Sequence, residues 1–354
     1  MKEMSSLERC LATLRGEAVD YLPVIPQCFM FALETAGMKM SDVTYSGKKM
    51  AEAHILSREK YGYDGCVIDF DDATIAEACG AKVIFRDDEP AVVNEEEPVL
   101  KDLRQVYDME VPDPMRAGRL PVWLEATARL REAIGNEVWI MGRADQGPFD
   151  LACLLRGSVQ FMMDIMMEEE QLIHDVLDYC RKVSIAFSLA QQQAGAHATS
   201  IGEAFAGPNL ISPEMYRQFA FNPQRRVVKE VQSEEFPFSL HICGNTNTII
   251  EDMGRTNARI IEIDWQLDME EARRVLPPST ILMGNVDPSH PLVFGTPEEV
   301  DAAVKRVVEA TKGQGLFISS GCAMGRNTPE ANMKAFVAAA RKYGANDWIS
   351  QLQK

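Results

Sequence analysis

His241 and Cys243 stand two residues apart at the end of an apolar run, 237–243, whose alternation reads as a β-strand. Both side chains therefore leave that strand on one side. Cys322 directly follows another such run, 315–320, in the string Ser319-Ser320-Gly321-Cys322. One imidazole and two thiols suit a borderline-soft divalent ion, zinc above all, and three protein ligands leave a fourth position open to substrate. A structural zinc would close with a fourth protein ligand, so the set points to a catalytic ion. A His-x-Cys pair also occurs as inert packing; the metal reading gains weight if both runs end on one rim of a barrel. Cys10, Cys28, Cys66, Cys79, Cys153 and Cys180 have no comparable partners and are expected to be structural.

The elements that must carry these residues follow from the hydrophobic pattern. Short apolar runs at 22–27, 65–70, 137–142, 198–203, 237–243, 259–264, 280–285 and 315–320 read as eight strands. Between them lie helical stretches at 47–61, 122–134, 158–191, 213–230, 268–276 and 297–311. Ser212-Pro213, Thr296-Pro297 and Thr328-Pro329 supply helix starts, with Ser or Thr as the cap and Pro in the first turn. The expected fold is α/β, a single (β/α)8 TIM-type barrel over 1–354, with residues 81–120 as an insertion, or a lid, after the second strand. An open doubly wound sheet fits less well, because no Gly-x-Gly-x-x-Gly follows the first strand.

In such a barrel the reacting groups come from the C-terminal strand ends. Those ends supply Asp69, Asp71, Asp145, Glu203, His241, Cys243, Asp264, Asn285, Asp287 and Cys322, a polar and anionic set. Glu203, Glu262 and Asp264 are candidate general acids beside the metal; they could equally cap loops or orient His241, and one could serve as a fourth ligand. Asp69, Asp71, Asp145, Asn285 and Asp287 are candidate substrate-binding groups, and His290 could touch substrate. His54, His174 and His197 have no ligand-spaced partner, and Tyr216 reads as core.

Composition narrows the function classes. With 36 Lys and Arg against 53 Asp and Glu, the net charge is −17, which disfavours nucleic acid and anionic membrane surfaces. The first twenty residues lack a signal-peptide apolar core and no uncharged run reaches 18 residues, so a cytoplasmic location is expected. Eight scattered cysteines suit reduced thiols. The acidic surface is compatible with a basic docking face on a partner protein and with a homo-oligomer.

Several strings taken together resemble a known family. His241-Ile242-Cys243-Gly244-Asn245, Gly284-Asn285-Val286-Asp287-Pro288, and Gly321-Cys322 followed by Thr328-Pro329-Glu330-Ala331-Asn332 are similar to the uroporphyrinogen decarboxylase-like superfamily, and within it to the zinc methyltransferases that serve corrinoid proteins. Leu14-Arg15-Gly16-Glu17…Asp20 and Leu210-Ile211-Ser212-Pro213-Glu214…Tyr216 fit the same pattern. The resemblance implies a zinc-dependent methyltransferase, a corrinoid (cobalamin) on a partner protein, and a small methylated substrate or thiol acceptor. The decarboxylases' arginine-rich segment near the first strand is replaced here by Pro23-Val24-Ile25-Pro26-Gln27-Cys28-Phe29-Met30, which has no arginine, and a rim of Asp69, Asp71, Asp145 and Glu203 would repel a polycarboxylate. Porphyrinogen decarboxylation is therefore the least favoured reading.

Two directions of transfer fit an open three-ligand zinc. In one, a methyl ether bound through its heteroatom gives its methyl to corrinoid cobalt, with a carboxylic acid protonating the leaving oxygen. In the other, a metal-bound thiol takes the methyl from a methylcorrinoid. The many carboxylates favour the first. A non-enzymatic scaffold has no use for converging carboxylates, and a zinc hydrolase is disfavoured because two thiolates make the ion a poorer acid for water.

Overall fold

The structure is a computed structural model in which residues 3–353 are described. Nine strands occur among them: β1 (Gly65–Ile68), β2 (Val83–Ile84), β3 (Val92–Val93), β4 (Trp139–Gly142), β5 (Thr199–Gly202), β6 (Phe238–His241), β7 (Ile260–Glu262), β8 (Ile281–Val286) and β9 (Leu316–Ser320). β1 pairs with β4, and β5 through β9 form a run of neighbours, all parallel. A parallel bridge from Met141 to Ala198 joins the two groups, with Gly142 N–H donating to Ala198 O at 2.9 Å.

The eighth position in the ring is the segment expected as the first strand. Pro23 and Pro26 have no N–H to give, so it forms no continuous ladder. Its remaining groups still bond on both sides. Ile25 N–H donates to Ile318 O (2.9 Å) and Ile318 N–H to Pro23 O (2.8 Å), while Asp64 N–H donates to Val24 O (2.7 Å). Together these bonds carry the ring of parallel segments around a barrel.

Alternation sorts the side chains of this ring. Cys66, Ile140, Ile201, Leu240, Ile261, Leu282 and Ile318 face the surrounding helices in the larger apolar cluster. Val67, Trp139, Met141, Ile260, Ile281, Met283 and Phe317 fill the interior. The helix Ser6–Arg15 adds Cys10 and Leu14 to that interior cluster, and Arg259 holds its Leu14 carbonyl, so the barrel floor is plugged. Higher in the interior the same inward face turns polar.

Several helix boundaries differ from those read off the pattern, each for a local reason. The stretch 158–191 is two helices, Ser158–Met167 and Glu170–Gln193, parted by extended backbone at Glu168 and Glu169. The stretch 213–230 passes through a π-helical turn, Tyr216–Ala220, before Phe221–Val231; Pro223 cannot donate to the carbonyl four residues back, and the wider turn accommodates it. Ser212 and Thr296 cap as expected, at 3.2 and 3.3 Å. Thr328 does not: its hydroxyl donates to Gly325 O, and the helix Glu330–Tyr343 starts with Pro329 at the cap position. Within 81–120, β2 and β3 form an antiparallel hairpin, followed by a 3-10 turn at Leu103–Asp108. No helix among the described residues is long and apolar enough to cross a membrane.

Candidate metal centre and its cavity

His241 ends β6 and Cys243 follows it, while Cys322 lies just beyond β9 on the same rim. One ligand atom from each falls within 4.8 Å of the others. His241 Nδ1–H donates to the backbone carbonyl of Glu262 (3.3 Å), which leaves Nε2 as the free lone pair, 3.2 Å from Cys243 Sγ. Cys243 beside it, helped by His241, holds the Cys322 thiol down to about 3, and in return Cys243 is held well above its ordinary value. Burial opposes charge on His241, but Cys322 outweighs it and raises the imidazole. The two thiols therefore share their proton unequally, with Cys322 the more acidic of the pair. Ligand bonds of about 2.0 Å to nitrogen and 2.3 Å to sulfur fit such a cluster, so the donor set matches zinc.

The three donors line a cavity of about 200 Å³ that opens at the mouth. Gln27, Phe29, Met30, Phe70 and Met324 form one side of it; Asp69, Asp71, Asp72, Asp145 and Glu203 bring carboxylates. Pro90, from the turn between β2 and β3, reaches this cavity, so the segment 81–120 borders the mouth.

Arg143, which the strand reading passed over, organises the base of the cavity. It is 4% exposed. Its Nε donates to Asp145 (2.7 Å) and lies 3.7 Å from Asp69, and its Nη1 donates to Glu262 (3.0 Å) and Ser200 (3.2 Å). Residues 139, 141, 143 and 145 share one parity, so the inward face of β4 continues past the strand end. That periodicity was a usable signal. Asp72 and Gln27 also belong to the lining without having been singled out.

The expected site carboxylates separate into different roles. Glu262, on β7, accepts from Arg143, Ser239 Oγ (2.8 Å) and Gln27 Nε2 (3.2 Å), so its carboxylate is fully engaged beneath the metal donors. Asp264 accepts from Gln266 N–H (2.8 Å) and is raised by burial. Glu203 accepts from the N–H groups of Phe149 (3.3 Å) and Asp150 (2.9 Å) at the start of the helix Pro148–Arg156, and burial pushes it up to about 7. Asp71 pairs with Arg119 at 2.6 Å and caps Ala73 N–H at 3.0 Å, tying down the loop after β1.

Asn285 and Asp287 lie elsewhere. Together with His290 they line a separate hollow beside Trp265 and Arg306. Gly284 holds φ +152 with no room for a Cβ beside Ile263 O. Beside it in β8, Asn285 Nδ2 donates to the carbonyls of Asp264 (3.1 Å) and Leu267 (2.8 Å), and Asp287 caps Ser289 N–H (2.7 Å). His290 is exposed and 3.7 Å from Glu299. His54 is buried without a hydrogen-bond partner, and burial lowers it to about 4. Tyr216 is core, as its helical spacing suggested.

Comparison with known proteins places this architecture. The chain is 29% identical over 350 residues, covering 97% of it and 99% of the relative, to methylcobamide:CoM methyltransferase MtbA of Methanosarcina mazei. It is 29% identical over 352 residues to MtaA of Methanosarcina barkeri, covering 98% of this chain and all of the relative. A uroporphyrinogen decarboxylase of Prochlorococcus marinus is 31% identical over 250 residues, 68% of each chain. The solved structure of a methyltransferase from Methanosarcina mazei superposes with TM-score 0.88 at 28% identity, covering 97% of this chain and all of that one. The uroporphyrinogen decarboxylase (URO-D) family model matches residues 5–343, and the chain belongs to that family.

Proposed function

We propose that the protein transfers a methyl group from a methylcorrinoid on a partner protein to a thiol, at a zinc ion held by His241, Cys243 and Cys322. The observation that carries this reading is the close His/Cys/Cys cluster at the mouth of a barrel whose full length aligns with methylcobamide:CoM methyltransferases. Those relatives favour the thiol-accepting direction over the methyl ether direction that the number of carboxylates suggested. A zinc ion in this donor set supplies a Lewis acid that makes a bound thiol a thiolate while leaving it nucleophilic.

The chain's own groups do the remaining work. The Glu262 carbonyl fixes the tautomer of His241 and so aims Nε2. Arg143 and Glu262 neutralise each other below the donors and hold the base of the cavity rigid. Glu203, poised near 7 and lining the cavity, takes up the proton that the thiol gives up. A methylcorrinoid presented at the mouth would supply the methyl group, its carbon–cobalt bond breaking with the electron pair kept by cobalt as the thiolate lone pair formed the carbon–sulfur bond.

The test mixes purified protein with methylcobalamin and a thiol panel and follows the cobalt spectrum, alongside metal analysis. About one zinc per chain and thiol-dependent demethylation are expected. Failure of every thiol, together with loading of reduced corrinoid protein by a methyl ether, would overturn the direction.

A further inference from the structure

The helix Ser158–Met167 inverts the usual burial pattern. Its one charged residue, Asp164, is buried, whereas Val159, Met163, Met166 and Met167, which helical spacing puts on one face, are 49% to 78% exposed. The orientation is fixed from the inside. Phe161 and Ile165 pack inward, the Phe161 ring 5.8 Å from that of Phe149. Asp164 pairs with Arg156 Nε at 2.6 Å, and Arg156 donates in turn to the carbonyls of Leu100 (2.9 Å) and Lys101 (2.6 Å). Gln160, the one polar side chain among the exposed ones, is turned back onto Asp164 at 2.8 Å. Rotating the helix to bury its methionines would strand the Asp164 and Arg156 charges, so the apolar face stays outward.

Nothing among the described residues covers this face. Monomers rarely leave a contiguous apolar patch of this kind bare, and methionine, flexible and polarisable, adapts readily to a second surface. The two ends of the face carry unspent charge. Lys101 shares a hollow with Val159 and Gln160 at the start, and its ammonium has no hydrogen bond or ion pair among the described residues; Glu96, exposed in the same hollow, also lacks a partner. Glu169, two residues past the helix end, has none either, while Glu95 is spent on Ser158 N–H and Oγ (2.7 Å each) and Glu170 on His174 (3.3 Å).

We propose that this face is the interface of a two-fold dimer, with a second copy of the chain as its occupant. A face without charge can meet itself without burying an unpaired ion. A two-fold axis at Met163, midway along the stripe, runs the helices antiparallel. Each Glu169 then lies beside the other copy's Lys101 and helix start, the positive end of its dipole; a parallel pairing would bring like ends together. Doubled across the axis and extended by these flanks, the patch approaches the roughly 1,200 Å² at which stable interfaces begin. The helix Pro148–Arg156, about 13 Å long, separates the face from Glu203 at the cavity, so the mouth where a methyl carrier has to dock lies to one side. The net charge of −17 disfavours an anionic membrane as the occupant.

Sedimentation velocity tests this directly, and the protein should be a dimer at micromolar concentration. Met166→Glu sets a charge inside the buried face and should weaken association about a hundredfold or more, with the circular dichroism spectrum unchanged. Lys101→Glu should weaken it several-fold, and adding Glu169→Lys should recover most of that loss, which a merely greasy contact would not do.

A chain that stays monomeric at every concentration would overturn the proposal. So would a dimer that survives Met166→Glu, because another surface would then hold it. A monomeric chain that binds phosphatidylcholine vesicles or a corrinoid protein, and loses that binding in Met166→Glu, would overturn it in favour of that occupant.

Discussion

Two triads share one cavity and are built on opposite logics. His241, Cys243 and Cys322 are prearranged: a backbone carbonyl fixes the ring, and Cys243 and His241 lower the Cys322 thiol. Asp69, Asp72 and Asp145 are equally close together, but among the described residues only Asp145 accepts hydrogen bonds, from Arg143 and the Gly202 N–H, while Asp69 has the 3.7 Å ion pair with Arg143. The first triad is organised by its neighbours, whereas in the second burial and neighbouring carboxylates push Asp69 and Asp72 toward their neutral forms. Arg143 and Glu262 lie between them and couple one to the other.

The sharpest way to break this contrast is to remove one donor from each side. Cys243→Ala or Cys322→Ala should take zinc from about one per chain to nearly none and abolish methyl transfer, whereas Asp69→Asn should keep the metal. Metal retained in both cysteine variants would remove the distinction. Next in size, Arg143→Met leaves Glu262 and Asp145 buried without their cation and should cost about 3–5 kcal/mol of folding stability. Adding Glu262→Gln should recover part of that loss in a double-mutant melt.

A smaller effect comes from Asp72. Asp72 is solvent-exposed at the mouth; the desolvation it still feels there, together with Asp145, pushes it to about 7, with Asp71 adding to the rise, Arg143 opposing it and Cys322 adding least, a shift that solvent and salt screen. Its folded value lies above the ordinary 3.8. The folded chain therefore holds the extra proton between those values, and the stability this contributes is complete below about pH 4 and lost as pH rises through 7. Asp72→Asn should flatten that decline in thermal melts. Least of all, Asp287→Ala should alter kcat/KM by less than about twofold and stability by about 1 kcal/mol, the worth of a turn hydrogen bond.

Sequence carried the parts of this site that depend on a period of two within a strand. His241 and Cys243 follow from it directly, and Cys322 followed once the strands were taken to close into a ring. Arg143 was hidden because the inward parity of β4 runs beyond the last residue that looks like strand. Asn285 was misplaced for another reason: β8 stays paired with β9 through Val286, but the Asn285 side chain is spent on the carbonyls of Asp264 and Leu267. Glu262 was legible as inward-facing, but Arg143, Ser239 and Gln27 that occupy it come from three other segments, and such long-range partners leave no local trace. Pro23 and Pro26 likewise concealed nothing about where their segment lies, only how completely it could bond.

The helix Ser6–Arg15 that plugs the barrel floor has a kinetic meaning. With the floor plugged by described residues, the mouth is the way in that a small acceptor and any macromolecule delivering the methyl group would share. A docked protein would block that doorway, so the acceptor has to enter first and the methylated product has to wait for the partner to leave. Turnover on this scaffold is therefore expected to be ordered, with the carrier protein arriving second and departing first.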